Sequence, residues 1–226
     1  METQPAWRTA SHQGSREVNA DAVAAANGIV ALADGVGDSL SSAHAALLAA
    51  TAAVGVPAVA GPAAALSAAH EAVTLGDCVL VVAQPFGGGY RIGWVGDVRA
   101  YAWDGSELRQ LTKDHTLAQY FRDHGGEDVT PRMEHIVTTS VHTAPATRYG
   151  ITETSATSLV LTTDGIHKTL THEAMTTVLR SATNPAEALV AAAHTAGATD
   201  NATAVVLTGA SKTATPLPTH PLPIAA

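Results

Sequence analysis

The sequence predicts an α+β fold, a mixed antiparallel sandwich with helices on either side. Two observations predict it. Short apolar runs come in adjacent groups instead of alternating one by one with helices, and the Ala- and Leu-rich helical stretches lie in blocks beside those groups. The core is expected to be close-packed, because 46% of the residues are hydrophobic but only 4% are aromatic. At 226 residues the chain suits one large domain better than two.

Six apolar runs read as strands: residues 28–33, 78–83, 90–95, 99–103, 158–162 and 202–207. The second and third are joined by Gln84-Pro85-Phe86-Gly87-Gly88-Gly89, read as a hairpin loop. No helix start and no Lys-Ser/Thr pair follows the triple glycine, so it is not a phosphate-binding loop. Helices are predicted over 41–54 and 63–73, with a shorter one from Thr116 to 124 stopped by Gly125-Gly126. Thr171 caps a helix running towards Arg180. Asn184-Pro185-Ala186-Glu187 supplies an N-cap, a first-turn proline and a capping glutamate for a helix to about Thr195. Residues 211–226 carry Pro216, Pro218, Pro221 and Pro223 without apolar periodicity, and read as a flexible tail outside a domain of residues 1–210.

Composition excludes several function classes. The formal net charge is -8 with 12 Lys+Arg, a poor match for nucleic acid or an anionic membrane surface. The Ala-rich stretch 43–69 is broken by Gly55, Pro57, Gly61 and Pro62, so it is not a membrane span. Cys78 is the single cysteine, which leaves no internal disulfide and no Cys-x-x-Cys metal site. With no basic-then-apolar leader at the N-terminus, a cytoplasmic monomer is expected.

The informative pattern is the placement of aspartates. Asp34-Gly35 ends one predicted strand and Asp164-Gly165 ends another. Asp200-Asn201 stands just before a third, and Gly96-Asp97 lies between two more. Any one of these is equally well an ordinary turn. Several in one chain suggest carboxylates delivered together at one rim of a sandwich. Converging carboxylates repel unless a cation lies between them. Oxygen donors without cysteine suit Mg²⁺ or Mn²⁺, and adjacent glycines let backbone carbonyls come close. Upstream, Gly14-Ser15-Arg16-Glu17-Val18-Asn19-Ala20-Asp21 offers a guanidinium fork that fits two phosphate oxygens.

In order, Arg16…Asn19-Ala20-Asp21, Ala33-Asp34-Gly35-Val36-Gly37, Val95-Gly96-Asp97-Val98-Arg99-Ala100-Tyr101, Leu111-Thr112-Lys113-Asp114-His115-Thr116, Thr163-Asp164-Gly165 and Asp200-Asn201-Ala202-Thr203 resemble the metal-dependent Ser/Thr protein phosphatases (PPM, type 2C) in their compact bacterial form. The resemblance spans residues 8–208. It implies a four-layer α-β-β-α sandwich, two antiparallel sheets flanked by helices, with 1–210 as the catalytic domain. It implies two Mn²⁺ or Mg²⁺ ions, with Asp34 bridging them as a catalytic residue. Asp164 and Asp200 would complete one site, and the Gly35 carbonyl and Asp21 would serve the other. Arg16 would be the catalytic phosphate clamp, and Asp97 a ligand of a weak third site. The segment 117–135 corresponds to a flap that shapes substrate choice.

Departures from the family pattern matter. Ala20 stands where many members carry Glu or Gln, Val36 replaces a histidine common in animal members, and Asp38 replaces a glycine with a surface-loop role expected. Lys168 lies where an acidic or polar residue commonly helps hold the third ion, and its charge should leave that site weak or empty. His115 and His167 lie near the motifs without an expected catalytic part. The expected activity is hydrolysis of phosphoserine and phosphothreonine proteins by a metal-activated water. Two alternatives are a catalytically weak binding or regulatory module of the same fold, and a phosphatase for a small metabolite.

Overall fold

The computed structural model describes residues 7–126 and 128–209. The tail reading for 211–226 lies outside the described residues. The first sheet has the order β1 (Trp7–His12), β10 (Ala202–Thr208), β9 (Ser158–Thr162), β6 (Arg99–Trp103), β7 (Leu108–Gln110). The second has the order β2 (Asp21–Ala26), β3 (Ile29–Gly35), β4 (Cys78–Phe86), β5 (Gly89–Val95), β8 (Gly150–Thr154). All pairings are antiparallel.

Strand periodicity makes the four layers. Along β3, Val30 and Leu32 enter the core between the sheets, while Ile29, Ala31 and Ala33 turn to the opposite face. Along β4, Val79, Val81 and Ala83 join the first set, and Cys78, Leu80 and Val82 the second. That second face is covered by α1 (Leu40–Gly55) and α2 (Gly61–Ala72) through Ala45, Ala46, Ala49, Ala53, Ala65 and Ala69. Alanines facing alanines bring helices and sheet close, as the composition suggests. On the other side, Val160, Ala204 and Val206 of the first sheet pack with Ile166 of α4 (Asp164–His167), Met175 and Leu179 of α5 (His172–Ser181), and Leu189 and Ala193 of α6 (Pro185–Thr195). The α-β-β-α sandwich of two antiparallel sheets is therefore the observed fold. Among the described residues no single helix is long and apolar enough to cross a membrane.

Three sequence expectations need correction. β1, β2, β7 and β8 were not anticipated, and they are the four sheet edges. The hairpin loop is shorter than 84–89, because β4 and β5 run on to Phe86 and Gly89. Only Gly87 and Gly88 remain as the turn, both at positive φ (59° and 87°), which suits a two-residue hairpin of primed type. Asn184 stands at the N-cap of α6 but makes no side-chain capping bond there, and its Oδ1 is buried without a partner. Thr171 does cap α5, accepting from the Ala174 N–H at 3.1 Å. Thr116 likewise caps α3 (Leu117–Asp123), accepting from the Gln119 N–H at 3.2 Å.

Candidate active site

The site begins with strand register. β2 and β3 pair so that Asp21 lies opposite Asp34. Asp164 opens α4 directly after β9, and Asp200 comes just before β10, the neighbour of β9. Asp97 occupies the turn from β5 to β6, where the chain passes between sheets. The ends of both sheets thus deliver carboxylates to one rim. Their proximity shows in their electrostatics. Burial pushes the Asp34 carboxyl well above the usual range, and the charges of Asp21, Asp164, Asp97 and Asp200 push it further. Asp21 is pushed up to about 7, first by burial, against hydrogen bonds from Thr203 and Thr163, and with help from Asp164 and Asp200. Both side chains keep part of their surface open, so this burial reflects dense protein around a concave rim.

Thr163 links the two sheets at this point. Its hydroxyl donates to Asp21 Oδ2 at 2.9 Å and accepts from the Thr203 N–H at 2.9 Å. Nothing in the sequence marks Thr163 for this role beyond its place before Asp164. The two Asp-Gly glycines also prove different from simple turn residues, since neither has a positive φ. A Cβ on Gly165 would lie 2.1 Å from the Asn201 carbonyl oxygen, and one on Gly35 would lie 2.6 Å from that of Ser42. Each glycine lets a second chain segment pass against the carboxylate it follows.

Arg16 stands in the loop from β1 to β2, and its Nη2 donates to Asp200 Oδ2 at 2.6 Å. Three anchors hold that loop. Asp38 accepts the N–H groups of Glu17 and Val18, both at 3.0 Å, which is the surface-loop role expected of it. Gln13 donates to the Arg16 carbonyl at 2.7 Å. Asn201, buried, donates to the carbonyls of Gln13 (2.7 Å) and Val18 (3.0 Å) and accepts from the Ala20 N–H (2.8 Å). Sequence reasoning had assigned Asn201 no task. Its Ala variant leaves one N–H and two carbonyls without partners, so Asn201→Ala should lower unfolding free energy by about 3 kcal/mol, read from urea denaturation midpoints.

Lys168 lies between Asp97 and Asp164, with Nζ 2.5 Å from Asp97 Oδ2 and 2.9 Å from Asp164 Oδ2. Burial raises the Asp97 carboxyl pKa and Lys168 opposes that rise. Burial disfavours the Lys168 ammonium, yet Asp164 and Asp97 more than offset it and leave its pKa raised. Beside it, α3 and the 131–135 turn wall an open cleft of about 340 Å³ lined by Arg99, Arg122, Pro131, Glu134, His135 and Lys168. Arg99 is clamped on Asp114 at 2.7 and 2.9 Å, and Arg122 pairs with Glu134.

Neither nearby histidine looks towards proton transfer. His115 accepts the Gly96 N–H at Nδ1 (3.2 Å), and burial lowers its pKa. His167 is buried, with Nδ1 2.8 Å from Thr162 Oγ1 and Nε2 unpartnered. Burial first, then the charges of Arg99 and Lys168, hold its pKa well below 6.5. The unfolded chain therefore binds a proton below pH 6.5 that the folded chain refuses. The His167 contribution to stability falls as pH drops through that value, at up to about 1.4 kcal/mol per pH unit. His167→Asn should remove this part of the slope in denaturation series between pH 7 and 5.

The residues fit a divalent cation at the Asp21–Asp34 rim. Asp21 Oδ1 is buried without a hydrogen-bond partner, and four neighbouring negative charges bear on Asp34. Among the described residues no three His, Cys, Asp or Glu side chains are already drawn into one chelating cluster. Arg16 and Lys168 hold Asp200 and Asp164 by ion pairs. The gap between Asp97 and Asp164 does not fit a further cation, because an ammonium occupies it.

Comparison with known proteins places this arrangement. No sequence-family model matches the chain, and no curated protein matches it. Solved structures do. PppA, a key regulatory component of T6SS in Pseudomonas aeruginosa, is 26% identical with a TM-score of 0.77, covering 90% of this chain and 97% of its own. The PPM Ser-Thr phosphatase MsPP from Mycobacterium smegmatis, solved with cacodylate, is 25% identical with a TM-score of 0.73, covering 89% and 97%. The catalytic domain of the serine/threonine phosphatase PstP, solved with two manganese ions, is 25% identical with a TM-score of 0.72, covering 88% and 96%. Over nearly the full length of these neighbours, and with the motifs in their order, the chain shares the fold of the PPM-family Ser/Thr phosphatases.

Proposed function

We propose that the chain is a protein serine/threonine phosphatase that hydrolyses phosphomonoesters with two bound Mn²⁺ or Mg²⁺ ions. One observation carries the reading: Asp21, Asp34, Asp164 and Asp200 meet at one rim, where negative neighbours raise Asp34 after burial has done so. Asp34 would bridge the pair. Asp164 and Asp200 would hold one ion, and Asp21 with the Gly35 carbonyl the other. When bound, the ions supply a water acidic enough to serve as hydroxide near neutral pH.

The chain's own residues do the rest. Arg16 has more N–H donors than its bond to Asp200 uses, and these suit two phosphoryl oxygens whose charge grows during in-line attack. Thr163 and Asn19 orient Asp21, the first through its hydroxyl and the second by accepting the Asp21 N–H at 3.2 Å. Asn201 and Asp38 hold the Arg16 loop in place. No covalent intermediate is called for, and Cys78 is unsuited to one. It is buried in β4, where burial and then Asp77 and Asp34 push its thiol pKa up and keep it protonated. The cleft under the flap lies next to the rim and suits the peptide around a phosphorylated residue.

The test is a rate comparison on phosphothreonine and phosphoserine peptides and on small phosphorylated metabolites, with Mn²⁺ and with EDTA. Faster, Mn²⁺-dependent turnover of the peptides is expected. Turnover that survives EDTA, or that is confined to metabolites, would reject the reading.

A further inference from the structure

The turn from β5 to β6 buries a carboxylate that nothing in the proposed metal pair requires. The Asp97 side chain is 5% exposed, Asp164 is 19% exposed, and the Lys168 side chain that joins them is 14% exposed. The two carboxylates come from different parts of the sandwich, one from the turn between sheets and one from the first turn of α4. A single ammonium reaches both, at 2.5 Å and 2.9 Å, each time through Oδ2. Its backbone is equally fixed, since the Lys168 N–H donates to the Asp164 carbonyl at 2.9 Å. Lys168 and Asp164 therefore ride on one helical turn, and the second bond ties that turn to Asp97. Surface ion pairs are loose and screened, but a pair this buried is costly to leave half-made. Two inward carboxylates with one shared cation between them is also the arrangement by which a protein holds a metal ion.

We propose that the Lys168 ammonium is a tethered cation standing where a divalent ion would otherwise bridge Asp97 and Asp164. It neutralises Asp97 and sets the orientation of Asp164 whatever the metal concentration. Lys168 is thus a positioning residue, acting through Asp164. The inference rests on the metal-pair reading only in giving Asp164 that second task.

A plain structural ion pair and a replaced ion site differ in what removal of the lysine creates. In calorimetric Mn²⁺ titrations, Lys168→Asp should bind one ion more than the wild type, and Asp97→Asn in that background should abolish the gain. In melting scans with EDTA, Lys168→Met should melt roughly 10 °C lower than the wild type, because it strands a buried carboxylate. The double variant Lys168→Met/Asp97→Asn should recover most of that loss. An unchanged ion count in Lys168→Asp would overturn the proposal, as would an unchanged melting point in Lys168→Met. A wild type that binds no Mn²⁺ would sink the metal-pair reading instead. The extra ion in Lys168→Asp and the EDTA melting cycle would still judge the role of Lys168.

Discussion

Asp34→Asn is expected to abolish Mn²⁺-dependent phosphopeptide hydrolysis and, in EDTA at pH 8, to make the protein more stable. The loss follows from the place of Asp34 among four other carboxylates, where the proposed bridge between two ions needs both oxygens. An amide offers one neutral acceptor and a donor, so a fall in kcat on the order of 10³-fold or more is expected, the scale of losing a preorganised electrostatic contact. The gain in stability follows from the same crowding. The folded-state pKa of Asp34 is raised, so its contribution is favourable below pH 3.8 and is lost as pH rises through the folded value. At pH 8 without metal the fold must either hold a charge it disfavours or keep a proton that the unfolded chain has lost, and asparagine removes that cost at nearly constant volume. A rise in melting temperature of roughly 3–6 °C is expected. Loss of activity with loss of stability would point to a damaged fold instead of a missing bridge.

Mn²⁺ affinity should fall by about 10–100-fold between pH 8 and pH 6, because protons and metal compete for the same carboxylates. Asp21, at about 7, titrates inside this window, and the raised Asp34 strengthens the competition. Metal binding at pH 7 should therefore release protons, measurable by calorimetry in buffers of different ionisation enthalpy. Asp21→Asn should weaken binding at pH 8 and flatten the pH dependence. A pH-independent affinity would mean that Asp21 lies outside the metal's reach.

What could be read in the sequence follows from burial. The six anticipated strands are β3, β4, β5, β6, β9 and β10, the six interior strands of the two sheets. Both of their faces are covered, so each appears as a continuous apolar run. The four edge strands do not. β8, Gly150–Thr154, alternates between exposed and half-buried residues, and β1, Trp7–His12, has no fully buried residue. β2, Asp21–Ala26, is mostly alanine, and β7 has three residues.

The same distinction applies to the site. The aspartates were legible because they punctuate apolar runs. Their supports were not, because they act across long separations: Asn201 on Val18, Thr163 on Asp21, Lys168 on Asp97. For Lys168 the sequence foretold a charge hostile to a third ion. Only the fold shows that the charge is satisfied by one buried and one half-buried carboxylate. The glycines of the Asp-Gly pairs, expected to open the way for a metal, make room for the Ser42 and Asn201 backbones.

The most direct measurement is anomalous diffraction from crystals soaked in Mn²⁺ above pH 7. Two peaks flanking the Asp34 carboxylate are expected, one towards Asp164 and Asp200 and one towards Asp21, with none between Asp97 and Asp164. Absence of manganese at Asp34 would contradict the account.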